Sequence, residues 1–534
     1  MGQIIDAADI APDAPAIEAA EVIIIGSGPA GAFTALRLLE RGHNVLLIEA
    51  GRDLPDVDAS PYFQFQSRGK QVPVEFGLSW QIGGTSNLWS GRCAPLEETD
   101  ITAAKGWPFE YEAIAAHYEE AASILGLLPI ADLKKTETGI ADDDAWAALE
   151  SSGQISIKRF QWNTPPFNTG TYLKDSLPDH SSFNMLSGCR LLSFERQDST
   201  GQAISARFAC GNNKTLDISG KVFVLCTGGI ETPRILLNSD QGRGIGNASG
   251  LLGRFFSTHP KGTLGRLALN RPVLLASPMF SDAKLKNANL RLGLGLAQSS
   301  AGSGPLNHYV QFSGKFERIG TYFLEQAQAA FAALPSDQAS GLAKRFHQRL
   351  NKFGIASGRA LFNFLGKAGL WKHRANTLSV KAFLDQYPSR DCKVSLTGEP
   401  DLYGMSSARV EWRFSDQDIA SIRELADALK DLFETYGIGK FTSALSANPE
   451  EWDFTAVHSH FLGTARMGAD PKKSVVDQYG RLHDANMIYV CGSAVFPSYG
   501  NANPFLSIAA FSLRTAEKIS ADLKNGNRET QNYD

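Results

Sequence analysis

Two apolar patterns alternate along the chain. Val22 to Ile25 and Val45 to Ile48 are unbroken apolar runs, the mark of strands buried on both faces of a parallel sheet. Between them Ala32, Leu36 and Leu39 recur at helical spacing and Gly42 stops the helix, so residues 21–51 predict a complete βαβ unit. Val222 to Cys226 is a third buried run, followed by the turn Thr227, Gly228, Gly229 and a helix with Pro233 near its start. Ile488 to Cys491 is a fourth, followed by Gly492, Ser493 and Ala494. Asn503 and Pro504 then open a long helix, as N-cap and first helical position. Phe183 to Glu195 also reads as strand. The pattern therefore predicts an α/β domain whose sheet is assembled from distant pieces of chain. Gly106 to Leu127 reads as a tight turn and an amphipathic helix. Cys392 to Leu396 and Arg409 to Phe414 read as strands of a second sheet in the interposed part.

The turn after the first run is Gly26-Ser27-Gly28-Pro29-Ala30-Gly31, a G-x-G-x-x-G. Gly26 permits the tight turn, Gly28 lets backbone approach a pyrophosphate, and Gly31 lets helix and strand pack closely. The helix N-terminus offers free N–H groups and a positive dipole end to phosphates. Glu49, eighteen residues past Gly31 at the end of the second strand, is placed to accept from ribose hydroxyls. With both strands, the helix and the acid in place, the unit predicts dinucleotide binding, and the motif alone does not separate FAD from NAD. Leu191, within the strand from Phe183 to Glu195, is expected to present backbone to the adenine. Residues 83–96, GGTSNLWSGRCAPL, read as a loop pressed against a flat ligand, with Gly84, Thr85, Asn87, Leu88 and Ser90 as contacts. Thr227, Gly228, Ser493, Ala494 and Pro504 are further contacts at the other strand ends.

Composition narrows the classes. The chain has 534 residues, 43% hydrophobic and 20% charged, with a net charge of −4, which fits a globular chain with a large core and gives no global pull towards nucleic acid. The six cysteines form no C-x-x-C pair, so no zinc or redox motif is expected and all six are expected as reduced, mostly buried thiols. The first twenty residues carry four acids and no Lys or Arg, unlike a signal peptide, and are expected as an acidic arm. No run of apolar residues is long enough to span a membrane. The expected compartment is the cytoplasm, with a peripheral position at the inner membrane surface as the variant.

Together these segments resemble the glucose-methanol-choline oxidoreductase family, over roughly residues 20–130, 180–265 and 380–520. The C-terminal stretch is the most specific: HFLGTARMG at 460–468, SVVD at 474–477 and FPSYGNANPFLSI at 496–508. With QYPSRDCKVSL at 386–396 and VEWRFSDQD at 410–418, it is most similar to the branch of pyranose oxidase and bacterial sugar dehydrogenases. The resemblance implies a domain binding FAD from residues 21–100, 180–265 and 455–534. It also implies an α+β substrate domain with an antiparallel sheet from residues 101–179 and 266–454. It implies oxidation of a CH–OH group, that of a sugar or glycoside, by hydride transfer to flavin. His460 matches the base of the family's H-x-x-G-T, and Asn503, forty-three residues later, matches the partner that holds the substrate oxygen. An imidazole suits proton abstraction near neutral pH. His458 is expected behind His460. Fungal pyranose oxidases attach FAD through a His where this chain has Leu88, so non-covalent FAD is implied. Ser90 falls where that branch places a hydroxyl near the flavin. Oxygen and a quinone-like carrier both stand as electron acceptors. Sterol or other alcohol oxidation, a hydroxynitrile-lyase-like reaction without net redox change, and a flavin-containing binding protein are the competing readings.

Between Asp337 and Asp385 the chain has no acid and nine cations, interleaved with aromatics. This insertion, residues 338–384, reads as a helical cover on the substrate domain, or as a surface for an anionic membrane, an acidic substrate or a redox partner. No nucleic-acid motif accompanies it.

Overall fold

The computed structural model describes residues 2–9, 20–54, 65–72, 78–137, 143–197, 204–210, 214–275, 277–285, 288–297, 306–314, 374–456 and 460–531. The first sheet has seven strands, in the order Gln3–Asp6, Phe183–Ser187, Val45–Ile48, Val22–Ile25, Val222–Leu225, Ala485–Val490 and Arg481–Leu482. All neighbours are parallel except the last pair. The four central strands predicted from apolar runs are buried along almost their whole length, as a sheet covered on both faces requires. Pro29–Glu40 packs against Phe505–Gln531, which in turn packs against Glu112–Ile124.

Three features differ from expectation. Gln3–Asp6, expected within an acidic arm, is the edge strand of this sheet, paired with Phe183–Ser187. An edge strand needs no apolar run, because one flank and part of its surface stay wet. Phe183 to Glu195 is not one strand. Gly188, at φ +70°, turns the chain out of the first sheet, and Cys189–Arg196 starts a separate three-stranded antiparallel sheet. In that sheet Cys189 stands opposite Cys210, and the two are joined as a disulfide with Cα atoms 4.3 Å apart. The expectation of six reduced thiols is thus corrected to four, Cys93, Cys226, Cys392 and Cys491, all buried; sequence spacing does not reveal strand register.

The second large sheet has eight strands, antiparallel throughout, with Ala288–Leu296, Tyr309–Gly314, Arg374–Phe383 and Lys261–Leu274 adjacent at its centre. Helix Asp416–Thr435, held at its start by a capping box of Ser415 and Asp418, lies over one face. Lys393–Pro400 and Ser406–Trp412 are strands as expected, but pair with Gln66–Gly69 in a small sheet of their own. Buried apolar side chains fall into two cores, one around each large sheet. Residues 315–373, most of the basic insertion, lie outside the described residues. Among the described residues no helix is long and apolar enough to cross a membrane.

Candidate active site

The βαβ turn is built as its glycines require. Gly26 has φ +100°, and a Cβ there would stand 2.6 Å from the Cys226 carbonyl oxygen. A Cβ on Gly31 would lie 1.9 Å from the Gly26 oxygen. A Cβ on Gly28 would meet nothing within 4 Å, so Gly28 opens onto free space. Pro29 and Ala30 begin the helix, and no side chain caps it. Its first amides therefore face that space as a ready anion cradle.

Glu49 is not turned outwards alone. Its Oε2 accepts from Ser27 N at 2.8 Å and from Ser27 Oγ at 2.5 Å, and its Oε1 accepts from Gly51 N at 2.8 Å. Burial raises its pKa against these bonds. Ser27 Oγ in turn accepts from Gly83 N at 2.9 Å, and a Cβ on Gly84 would stand 3.5 Å from Gly28 Cα. Glu49, the first Gly-rich turn and the Gly83-Gly84 turn thus form one hydrogen-bonded unit around the same space.

The rest of that loop is held from behind. Thr85 Oγ1 accepts from Ser79 N at 3.0 Å, and Asn87 bridges the Ile82 carbonyl and the Gly170 amide. Trp89 stacks on Phe505 with ring centroids 3.8 Å apart and donates to the Phe167 carbonyl. Between these anchors Leu88 is 59% exposed, and Ser90 is exposed as well. Gly228, at φ +75°, opens onto free space like Gly28, and Thr227 bonds Thr232 across the helix start. Ser493 donates to the Phe461 carbonyl and Ala494 accepts from Ala465 N, fixing the segment after His460 to the end of the first sheet. Leu191 is buried at a bulge, so only its backbone is available to a ligand.

His460 meets a residue that the sequence did not single out. Ser257 and Leu462 exchange both backbone hydrogen bonds as an antiparallel bridge. Two residues along each segment, His259 and His460 stand opposite one another, with Nδ1 atoms 3.0 Å apart. His259 Nε2 lies 3.3 Å from the Tyr499 carbonyl oxygen. Burial lowers the His259 pKa to about 4, so its ring is neutral at neutral pH. A carbonyl only accepts, so His259 carries its proton on Nε2 and its Nδ1 accepts. His460 must then donate from Nδ1, which places the lone pair of neutral His460 on Nε2. No periodicity marks His259; only the pairing of segments two hundred residues apart brings it here.

Asn503 donates from Nδ2 to the Arg92 carbonyl at 2.9 Å. The expected N-cap role is corrected: the helix runs from Phe505, and Pro504 rather than Asn503 supplies the first carbonyl, to Ile508 N at 2.7 Å. Capping needs a side-chain oxygen turned to the helix, whereas the Asn503 amide is turned to Arg92. The loop carrying it is held by residues distant in the chain. Ser498 accepts from Trp107 Nε1 and donates to the Asp100 carbonyl, and Asn501 donates to the Asn307 carbonyl. His458 lies outside the described residues.

The open space at Gly28 and Gly228, the uncapped helix N-terminus and the linked Glu49 fit a dinucleotide, and the Ser493–Ala494 turn at the end of the same sheet is bonded to the segment of His460. Comparison with known proteins agrees. Residues 388–512 match the family model "GMC oxidoreductase", and residues 21–60 match "FAD dependent oxidoreductase". Paromamine 6'-oxidase of Streptomyces fradiae is 23% identical, over 94% of this chain and 92% of that protein. The 2-methyl-1,2-propanediol dehydrogenase of Mycolicibacterium austroafricanum is 22% identical over 94% and 95%. The crystal structure of pyridoxine 4-oxidase from Mesorbium loti superposes with a TM-score of 0.57 at 17% identity, covering 93% of this chain and 99% of that one.

Proposed function

We propose that this chain, which belongs to the glucose-methanol-choline oxidoreductases and is an FAD-dependent enzyme acting on CH–OH groups, oxidises a sugar or glycoside hydroxyl with His460 as general base. The observation that carries the reading is the His259–His460 pair, whose tautomers leave the accepting lone pair on His460 Nε2. FAD, when bound, supplies the group that accepts hydride from the substrate carbon. His460 Nε2 takes the hydroxyl proton, and His259 accepts the hydrogen bond of the imidazolium that forms, without being protonated itself. Asn503, fixed through Arg92, orients the same oxygen.

Gly26, Ser27, Gly28, Pro29, Ala30 and Gly31 are assigned to the pyrophosphate. Glu49 is assigned to the ribose beside its bonds to Ser27 and Gly51, and the Leu191 backbone to the adenine. Gly84, Thr85, Asn87, Leu88 and Ser90 are assigned to the flavin side, with Thr227, Gly228, Ser493, Ala494 and Pro504 at the strand and helix ends. Leu88 offers no imidazole for attachment, so the cofactor is held without a covalent bond there and acid precipitation should release it into the supernatant.

The test is anaerobic stopped-flow reduction of the flavin by a sugar or glycoside that bleaches the wild type. His460→Ala should slow it roughly 10²–10⁴-fold at near-normal flavin content. Reduction at the wild-type rate would place the base elsewhere.

A further inference from the structure

Phe255 holds a backbone conformation that its side chain disfavours. Its φ is +62°, in the left-handed region, where a bulky residue persists only if its surroundings hold it there. Two contacts do so. Tyr499 Oη donates to the Phe255 carbonyl at 2.6 Å, and the Arg466 guanidinium lies 4.4 Å from the centre of the Phe255 ring. A glycine makes room for the hydroxyl. A Cβ on Gly463, itself at φ +82°, would stand 2.4 Å from the Phe255 oxygen and 2.7 Å from Tyr499 Oη. Tyr499 is 1% exposed, and burial holds its phenol well above the usual tyrosine range, so the hydroxyl keeps its proton and donates.

Three segments meet at that hydrogen bond, and each carries one residue of the proposed chemistry. The segment of Phe255 continues through Ser257, which bridges Leu462, to His259. The segment of Gly463 begins with His460, and its Thr464 carbonyl accepts from Gly253 N at 2.7 Å, so the two segments are tied on both sides of Phe255. The segment of Tyr499 reaches Asn503 four residues later. Tyr499 itself grips the first segment twice, with its hydroxyl on Phe255 and its carbonyl 3.3 Å from His259 Nε2. The chain from Phe255 to His259 and the body of Tyr499 thus close a ring. Without the hydroxyl, Phe255 is free to leave the left-handed region, and the rotation passes along four residues to the bond that fixes the His259 tautomer.

We infer that Tyr499 is a positioning residue for the base: its hydroxyl keeps Phe255 strained, so that the Tyr499 carbonyl and His259 hold the His460 ring in the tautomer that takes the substrate proton. This role rests on the general-base reading above and names the device that sets it. Tyr499 acts through His259 and needs no contact with the substrate. Strain kept beside a reacting group is stabilised elsewhere in the fold and serves alignment, and here the stabilising bond and the aligned histidine belong to one closed ring.

Tyr499→Phe removes one oxygen and keeps the ring. Anaerobic flavin reduction by a sugar that bleaches the wild type should slow about tenfold at near-normal flavin content, because small misplacements at the reacting atoms are costly. The apparent pKa of reduction should move with it. A rescue separates alignment from packing. Glycine adopts a positive φ freely, so in a Phe255→Gly background the hydroxyl has no strain to hold, and adding Tyr499→Phe should change the rate by less than about twofold. Phe255→Asn, which also tolerates the left-handed region, replaces the glycine variant if that one folds poorly. A tenfold loss in both backgrounds, or a wild-type pH profile in Tyr499→Phe, overturns the role. A second readout needs no substrate. Nitrogen NMR of the holoenzyme labelled at histidine distinguishes protonated from accepting ring nitrogens, and His460→Ala identifies the His460 signals. The wild type should show a protonated Nδ1 and an accepting Nε2, and Tyr499→Phe should average the two. The same fixed tautomer in both proteins overturns the role of Tyr499 whatever the flavin does. A tautomer lost in Tyr499→Phe, with no bleaching of the wild type by any alcohol, keeps the positioning and sinks the oxidation reading.

Discussion

In the mechanism proposed, the path of the proton turns on His259, a residue that never touches the substrate carbon. Its Nδ1 lies 3.0 Å from His460 Nδ1 and its Nε2 3.3 Å from a carbonyl. Replacing it with Leu removes the acceptor that orients the base. Flavin reduction should fall about 10–100-fold, the range for losing a partner that orients a functional imidazole. A purely structural role would lower the rate equally at every pH. Loss of the tautomer lock should also shift the apparent pKa of reduction, because His460 then shares its proton between both nitrogens. His259→Gln, whose amide oxygen can still accept, should recover part of the rate. An unchanged pH profile in His259→Leu would reduce it to packing. His460, Asn503 and the glycines stand out in the sequence as candidates because each sits in a short motif whose spacing has a mechanical reason. His259 does not, because a bridge between Ser257 and Leu462 is invisible until the chain is folded.

Elements buried on both sides were legible for a related reason. Val22–Ile25 and Val45–Ile48 appear with the predicted ends because an apolar run of four has one stable home, the middle of a parallel sheet. Gln3–Asp6, exposed or half-buried along its length, carries no such signal, and the break at Gly188 needed a φ that the sequence does not print. The glycines of the first turn now make separable predictions. Gly28 has φ −63° and free space where a Cβ would go, so Gly28→Val should fold, lose the yellow colour, and melt near the temperature of flavin-free wild type. Gly31→Val places its Cβ against the Gly26 oxygen, a 1.9 Å clash, and should lose the βαβ packing itself. The measurement is circular dichroism melting beside flavin content for both variants. Equal damage to secondary structure in the two would mean that Gly28, too, is a packing residue, and normal colour in Gly28→Val would move the pyrophosphate elsewhere.

At the scale of the whole molecule, the site is a seam between two cores, and the loop from Phe496 to Asn503 is its keystone. It follows the end of strand Ala485–Val490 in the first sheet, is bonded by Trp107 and Asp100, and is joined by Asn307 from the segment that leads into the second sheet. Under it lies Asp385, 4% exposed, with its oxygens accepting from Gln386 N at 2.8 Å and Asn307 N at 3.3 Å. Burial above all, opposed by Lys105 and reinforced by Asp100, pushes its pKa up to about 7. In the unfolded chain an Asp titrates near 3.9. Between those values the folded protein binds a proton that the unfolded chain has released, so stability falls as pH rises through that window and levels off above it. His259, lowered to about 4, acts with the opposite sign between about 4 and its unfolded value near 6.5, so the two largely offset one another across that window and the net loss of stability comes as pH approaches 7. Asp385→Asn keeps the neutral form at every pH. It should match wild type near pH 4 and exceed it above pH 7, by on the order of a few kcal/mol. Thermal or urea unfolding of the holoenzyme and its variant at a series of pH values reads the difference directly. A difference that stays constant from acid to alkaline pH would show that Asp385 titrates in the folded protein as it does in the unfolded chain, with Lys105 offsetting its burial.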